Sequence, residues 1–287
     1  MNTPNCAILL IHCPDQPGLV ALVTEFVHKN KGNILNLDQH VDGDLGHFFM
    51  RIEWELSDFL IPDDKIDEYF ATLIGNAHGM NWQLHFSARR PRMVLFVSKA
   101  SHCLYDLLQR HAIGEYDCEI PAVISNHTSL QSVAERFGIP FHHIVINKEN
   151  KAEQEARTQV LLQEVGAELV VLARYMQILS DDFCRAWEHR IINIHHSFLP
   201  AFKGARPYHN AFNRGVKLIG ATSHYVTADL DEGPIIAQDV APVSHRDGID
   251  DLKRIGRDVE KRVLSKAVYL QLQRRVLPFG NRTVVFD

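Results

Sequence analysis

The sequence predicts an α/β protein in two parts, a ferredoxin-like βαββαβ domain followed by a Rossmann-like, mostly parallel sheet. Three observations predict it. Residues 6–86 alternate short strand-like and helix-like stretches in the order βαββαβ. From Met93 onward, nearly continuous apolar runs alternate with helical stretches, as buried strands of a parallel sheet do. Between the two, Ser87-Ala88-Arg89-Arg90-Pro91-Arg92 is polar, basic and broken by proline. The predicted organisation is therefore 1–86 as one domain, 87–92 as linker and 93–287 as the second domain.

In the first part, Ala7–His12 is an apolar run of strand length, and Pro14-Asp15-Gln16-Pro17-Gly18 is a turn. Leu19, Leu22, Val23, Phe26 and Val27 recur at helical spacing, and Lys31-Gly32 supplies a stop. Ile34–His40 and His47–Leu56 read as strands around the turn Asp42-Gly43-Asp44. Pro62–Gly75 is helix-like, with Ile66, Phe70, Leu73 and Ile74 on one side, and Trp82–Phe86 closes the unit as a strand.

In the second part, Met93–Val97, Pro121–Ser125, His142–Ile146 and Leu169–Leu172 are the buried runs. Cys103–His111, Leu130–Phe137 and Ala152–Val165 are the helical stretches between them. Arg190–Ile194 continues the series of strands. A loop, a helix and two strands follow, Leu218–Val226 and Ile235–Val240, the second stopped by Pro242. Gly248–Arg275 is helical and charge-rich, with Val263, Ala267 and Leu270 facing inward.

At 287 residues, with 46% apolar and 23% charged residues, the chain can build cores without staples. A net charge of −5 gives no footprint for nucleic acid or an anionic membrane, so an anionic ligand needs a local basic site. The five cysteines are odd in number and scattered, without CxxC spacing, which predicts reduced thiols and a cytoplasmic protein. No stretch approaches 18 apolar residues and no secretory leader is evident, so no membrane association is expected.

The residues that carry chemistry should lie beyond the carboxyl ends of the parallel strands. There the chain reads Asn193-Ile194-His195-His196-Ser197-Phe198-Leu199-Pro200. Alternation along a strand puts Asn193 and His195 on one face. An amide donor beside an imidazole suits the oxyanion of an acyl transfer, although such pairs also serve loop backbone. A second stretch runs from His224 through the acidic turn Asp231-Glu232-Gly233-Pro234 to Gln238. Together the two supply an amide, imidazoles and a carboxylate, the set needed to hydrolyse a formamide-like bond. A metal is not expected. There is no HExxH, and His142–His143 and His195–His196 are strand neighbours that face opposite ways.

These two stretches, Asn-x-His-x-Ser-x-Leu-Pro and His-x-Val-x-x-x-x-Asp-x-Gly-Pro-x-x-x-Gln, resemble the folate-dependent formyltransferase family. The resemblance implies Asn193, His195 and Asp231 as the catalytic trio, with His224 assisting. Ala173–Ser180 is similar to the family's folate-pocket segment, which implies Arg174, Tyr175, Met176, Gln177, Ile178 and Leu179 as substrate-binding residues, with Gln177 in place of a frequent arginine. Ser197 and Gly233 are expected to join these six in binding substrate. Cys13-Pro14-Asp15-Gln16-Pro17-Gly18-Leu19 looks like the opening turn of an ACT regulatory domain. The tail segments Gly256-Arg257-Asp258-Val259-Glu260 and Gly280–Phe286 resemble the hydrolytic members of the family.

What the resemblance implies is hydrolysis of 10-formyltetrahydrofolate to formate and tetrahydrofolate, supplying formate for purine synthesis, with no cofactor beyond the folate substrate. A homo-oligomer and an amino-acid effector at the ACT-like domain are further implications. Water is favoured as acceptor by the loop Ser98-Lys99-Ala100-Ser101-His102-Cys103, which lacks the glycines that cradle a phosphorylated acceptor. Ser101 there also reads as a helix cap. Two rivals stand beside this reading: a phosphoribosylglycinamide formyltransferase with a fused sensor domain, and a catalytically silent amino-acid sensor.

Overall fold

A computed structural model describes residues 5–201 and 207–287. The chain folds as two compact units. The first comprises Met1–Arg90, Arg274–Leu277 and Val284–Asp287, and the second Pro91–Gln273 and Pro278–Thr283. Two C-terminal stretches thus belong with the N-terminal unit, whereas the sequence predicts all of 93–287 in the second.

The first unit is the βαββαβ arrangement read from the sequence. Strands β1 (Cys6–Pro14), β2 (Asn33–Asp42), β3 (His47–Glu55) and β4 (Asn81–Phe86) form one antiparallel sheet in the order β2-β3-β1-β4. Helix α1 (Leu19–Lys29) presents Leu19, Val23, Phe26 and Val27 to one core with Leu9, Ile11, Met50, Ile52 and Trp54. The expected helix at Pro62–Gly75 is broken. A 3₁₀ turn leads into α2 (Ile66–Phe70), and a π turn over Ala71–Gly75 follows. Arg51 of β3 is 2% exposed, and its guanidinium is fully engaged. Its Nη1 donates to Asn36 Oδ1 (2.8 Å), its Nη2 to Glu53 Oε2 (2.8 Å) and its Nε to the Arg274 carbonyl (3.0 Å).

The second unit is built on seven strands in the order β11-β10-β9-β8-β5-β6-β7. Strands β5 (Met93–Val97), β6 (Val123–Ser125), β7 (Phe141–His143), β8 (Leu169–Leu172) and β9 (Ile191–His195) are parallel. Strands β10 (Leu218–Tyr225) and β11 (Ile235–Pro242) extend the sheet antiparallel. The parallel strands are buried throughout at β5 and β8, which is why they read as unbroken apolar runs. Helices α3 (His102–Ala112), α4 (Gln131–Arg136) and α5 (Lys151–Glu164) make the crossovers. Strand β7 stops earlier than its apolar run, because its partner β6 ends at Ser125, opposite His143.

The short helix α6 (Asp181–Ala186) has no counterpart in the pattern of apolar spacing. Ser180 caps it, accepting from Phe183 N at 3.3 Å. Ser101 stands at the N-cap of α3 as expected, but its hydroxyl makes no cap hydrogen bond. Helix α7 (Pro207–Arg214) precedes β10, and α8 (Ile249–Leu272) is the long C-terminal helix. It ends three residues before the expected limit, and a hairpin of β12 (Val276–Phe279) and β13 (Arg282–Val285) follows. Among the described residues no helix is long and apolar enough to cross a membrane. All five cysteines are buried thiols.

The chain order reverses between β5 and β8: β6 and β7 lie to one side, β8 to β11 to the other. Loops at the carboxyl ends diverge there and leave a crevice. Ser98, just beyond β5, ties its edge together: its hydroxyl donates to Asn126 Oδ1 (2.7 Å) and accepts from Met176 N (3.0 Å).

Candidate active site

A cavity of about 480 Å³ opens at the ends of β8, β9 and β10. Strand alternation sets its floor. Asn193 and His195 leave β9 on the same face, and the antiparallel register puts His224 of β10 directly opposite Asn193. Asp231 enters from the β10–β11 loop with φ 57°, a left-handed conformation tolerated by aspartate. The four residues expected to carry the chemistry line this one cavity.

Their contacts assign each polar atom. His195 Nδ1 is 3.2 Å from Asp231 Oδ2. His224 Nδ1 donates to the Tyr225 carbonyl (2.9 Å), so its Nε2 accepts from the Asn193 carboxamide at 3.3 Å. Asp231 Oδ1 lies 3.7 Å from the same His224 Nε2, too far to compete with the amide. The hydrogen bond from His195, with the His224 imidazole close by, holds the Asp231 carboxyl well below the usual carboxylate range against the opposing effect of burial. His195 Nε2 is buried and has no hydrogen-bond partner among the described residues. A buried polar atom left open this way costs stability unless a ligand meets it.

Arg174–Leu179 forms one wall. Tyr175 is anchored in the core, edge-on to Phe96 at 5.2 Å, while Met176 and Ile178 are 60% and 62% exposed at the mouth. Leu230, 61% exposed, faces the same space from the β10–β11 loop with Thr227 and Ala228. Exposed apolar side chains around a polar floor suit a flat ring with a reactive substituent below it. Gln177 lines the wall and Leu179 closes its base.

Two expected binding residues lie elsewhere. Ser197 is buried, donates to the Ala201 carbonyl (2.8 Å) and borders a separate apolar cavity of about 420 Å³. Gly233 belongs to the turn after Asp231, where a Cβ would stand 1.8 Å from the Tyr225 carbonyl oxygen. Both shape loops and do not line the cavity. Conversely, His196 faces the opposite way along an ideal strand, yet it does line the cavity. Its ring stacks on His195 at 5.1 Å, and burial, reinforced by Arg174, pushes its pKa down to about 4, so it is neutral. Gln238 and Thr222 act behind the floor: Gln238 Nε2 donates to Leu199 O (3.0 Å) and Thr222 Oγ1 (2.9 Å), and Thr222 Oγ1 donates to Ser197 O (2.9 Å).

Among the described residues one group could gather metal ligands, His102, Cys103 and Glu260, with donor atoms within 4.8 Å. Sequence spacing gives no sign of it, because Glu260 comes from a distant helix. Its donors are spent: His102 Nε2 is hydrogen-bonded to Glu260 (2.7 Å), the Arg174 guanidinium stands 3.4 Å away, and burial raises the Cys103 thiol so that it stays protonated. A cation there would meet Arg174 and a neutral thiol, so this set fits a metal poorly.

A doubly wound sheet with an amide, two imidazoles and a carboxylate at the ends of adjacent strands defines a class. Residues 91–268 match the formyl transferase family. Over 280 residues the chain is 54% identical to the formyltetrahydrofolate deformylase of Synechocystis sp., covering 98% of each chain. The crystal structure of a formyltetrahydrofolate deformylase from Pseudomonas syringae pv. tomato superposes with a TM-score of 0.97 at 47% identity, covering 100% of this chain and 96% of that one. The glycinamide ribonucleotide transformylase 1 of Symbiobacterium toebii is more distant, with a TM-score of 0.66, 32% identity and 71% of this chain covered against 98% of its own. The chain belongs to the formyltetrahydrofolate deformylase family.

Proposed function

We propose that the chain hydrolyses 10-formyltetrahydrofolate to formate and tetrahydrofolate in the cytoplasm, with water as acceptor and no cofactor. The observation that carries the reading is the buried His195 Nε2, without a hydrogen-bond partner among the described residues, in one cavity with the Asn193 amide and an ionised Asp231. The pterin ring lies against Met176, Ile178 and Leu230, and the formyl group reaches the floor. His195, held at Nδ1 by Asp231, presents its buried Nε2 to the formyl oxygen. Asn193 Nδ2 uses one hydrogen on His224 and turns the other toward the same oxygen.

Asp231 takes a proton from water as it attacks the formyl carbon. That proton passes to N10, the C–N10 bond breaks, and formate leaves as its acid proton is lost. His224 fixes which end of the Asn193 amide faces the substrate, since its lone pair accepts only from the NH₂ end.

Transfer to a phosphorylated amine is the rival enzyme reading. Against it, the loop Ser98–Cys103 after β5 contains no glycine, the residue that lets backbone N–H groups close around a phosphate. The test is incubation with 10-formyltetrahydrofolate and no acceptor, following formate. Stoichiometric formate supports hydrolysis, and formyl transfer to glycinamide ribonucleotide without formate would overturn it.

The same reading gives the first unit a regulatory role with an amino-acid effector, and makes the chain a homo-oligomer that supplies formate for purine synthesis. Support for self-association is the edge position of β2, whose Leu35 and Val41 are exposed. Light scattering checks the oligomer, and kinetics across a panel of amino acids checks the effector.

A further inference from the structure

The stretch Gly256–Glu260 takes no part in the chemistry above, yet it is built around side chains at the edge of the cavity. Glu260 sits midway along α8 and is 2% exposed. Three partners from three other segments converge on it. His102, at the start of α3, is 2.7 Å from Oε2, and Tyr208 of α7 donates to Oε1 at 2.5 Å. Arg174 Nε stands 3.4 Å from Oε2. Burial alone would raise the Glu260 carboxyl, but the His102 hydrogen bond, Arg174 and Tyr208 outweigh it and hold it below its ordinary value. A buried carboxylate held by two hydrogen bonds, with a guanidinium 3.4 Å away in ion-pair contact, is a strong fixed point.

One helical turn earlier, Gly256 leaves room for the same tyrosine. A Cβ there would lie 2.1 Å from the Tyr208 hydroxyl and 2.4 Å from its Cζ. Helix α8 is thus bare where the ring passes and charged where its hydroxyl ends. Arg174 holds a left-handed backbone, φ 63°, at the head of the wall segment, a conformation that a non-glycine residue keeps only when its surroundings enforce it. Its side chain reaches Glu260 and borders a third, basic cavity with Lys99, His102, Lys253 and Arg257.

We infer that Glu260, with Gly256, His102 and Tyr208, is a positioning device that anchors Arg174 and thereby sets the wall Arg174–Leu179 against which the folate ring is held. None of the four touches the reacting atoms. The inference rests on the folate reading of that wall, so it predicts an effect on binding and not on the chemical step.

The test compares wild type, Glu260→Gln and Tyr208→Phe by steady-state formate release and by quenching of protein fluorescence with tetrahydrofolate. Glu260→Gln keeps the shape and removes the charge. It is expected to raise both KM and the tetrahydrofolate Kd about 10-fold, with kcat within about two-fold of wild type. Tyr208→Phe loses one hydrogen bond and keeps the ring, so it folds and shifts both constants the same way by about three-fold. Unchanged KM and Kd in both variants, or a kcat loss with KM intact, overturns the anchor. A wild-type chain that binds tetrahydrofolate yet releases no formate overturns the hydrolytic reading instead, and the Kd comparison still decides the anchor.

Discussion

At the scale of single residues, the floor of the cavity divides labour by which atom is already engaged. Asp231 is ionised and committed to His195, and His224 is committed to Tyr225 and Asn193. Removing one oxyanion donor costs roughly 3 kcal/mol of transition-state stabilisation, about 100-fold in rate. His195→Ala should therefore lower kcat by about 100-fold, and Asp231→Asn, which removes the base, by about 100-fold or more, in single-turnover measurements, while titration shows tetrahydrofolate still bound. Near-normal turnover in either variant removes that residue from the proposed chemistry.

A second residue-level effect belongs to His85 of β4, whose Nε2 is buried without a hydrogen-bond partner among the described residues. Burial, then the Arg274 charge, lowers its pKa to about 3. The unfolded chain takes up this proton near pH 6.5 and the folded one resists it. The stabilisation is complete above about pH 6.5 and drains away as pH falls toward 3. Urea midpoints measured from about pH 7 to 4 should fall less for His85→Leu than for wild type, and parallel curves would show that His85 contributes nothing.

Among the elements, the β9–β10 pair does most to assemble the site, since its register alone sets Asn193 opposite His224. The turn after β10 then delivers Asp231, and Gly233 lets it pass the Tyr225 carbonyl. Gly233→Ala forces backbone atoms apart and is expected to destabilise the fold by about 2 kcal/mol or more, lowering Tm and turnover together. A variant with unchanged Tm would mean that the turn relaxes freely. Much at this scale is legible in sequence because it depends on local period. Two-residue alternation puts Asn193 and His195 on one face, and unbroken apolar runs mark β5 and β8.

What is not legible depends on partners far along the chain. Ser197 and Gly233 look like binding residues by their place in the motif, yet the atoms they meet, Ala201 O and Tyr225 O, are fixed only by loop geometry. Glu260 gathers partners 158, 52 and 86 residues away, counted from His102, Tyr208 and Arg174, and no spacing rule reports such a meeting. The π turn at Ala71–Gly75 breaks a stretch whose apolar spacing alone reads as one helix.

For the whole molecule, the decisive fact is that the first compact unit is discontinuous. Arg51 of β3 donates to the carbonyl of Arg274, and Phe286 N donates to Arg275 O within the same unit. Deleting Val284–Asp287 should therefore lower the stability of the N-terminal unit, seen as faster proteolysis or amide exchange in β1 and β3, far away in sequence. Exchange rates there identical to the full chain would exclude such support. The same discontinuity dictates an order of events during synthesis. The four-stranded sheet is closed within Cys6–Phe86, but the compact unit around it is completed only after Arg274–Leu277 and Val284–Asp287 have been translated, later than every residue of the catalytic floor.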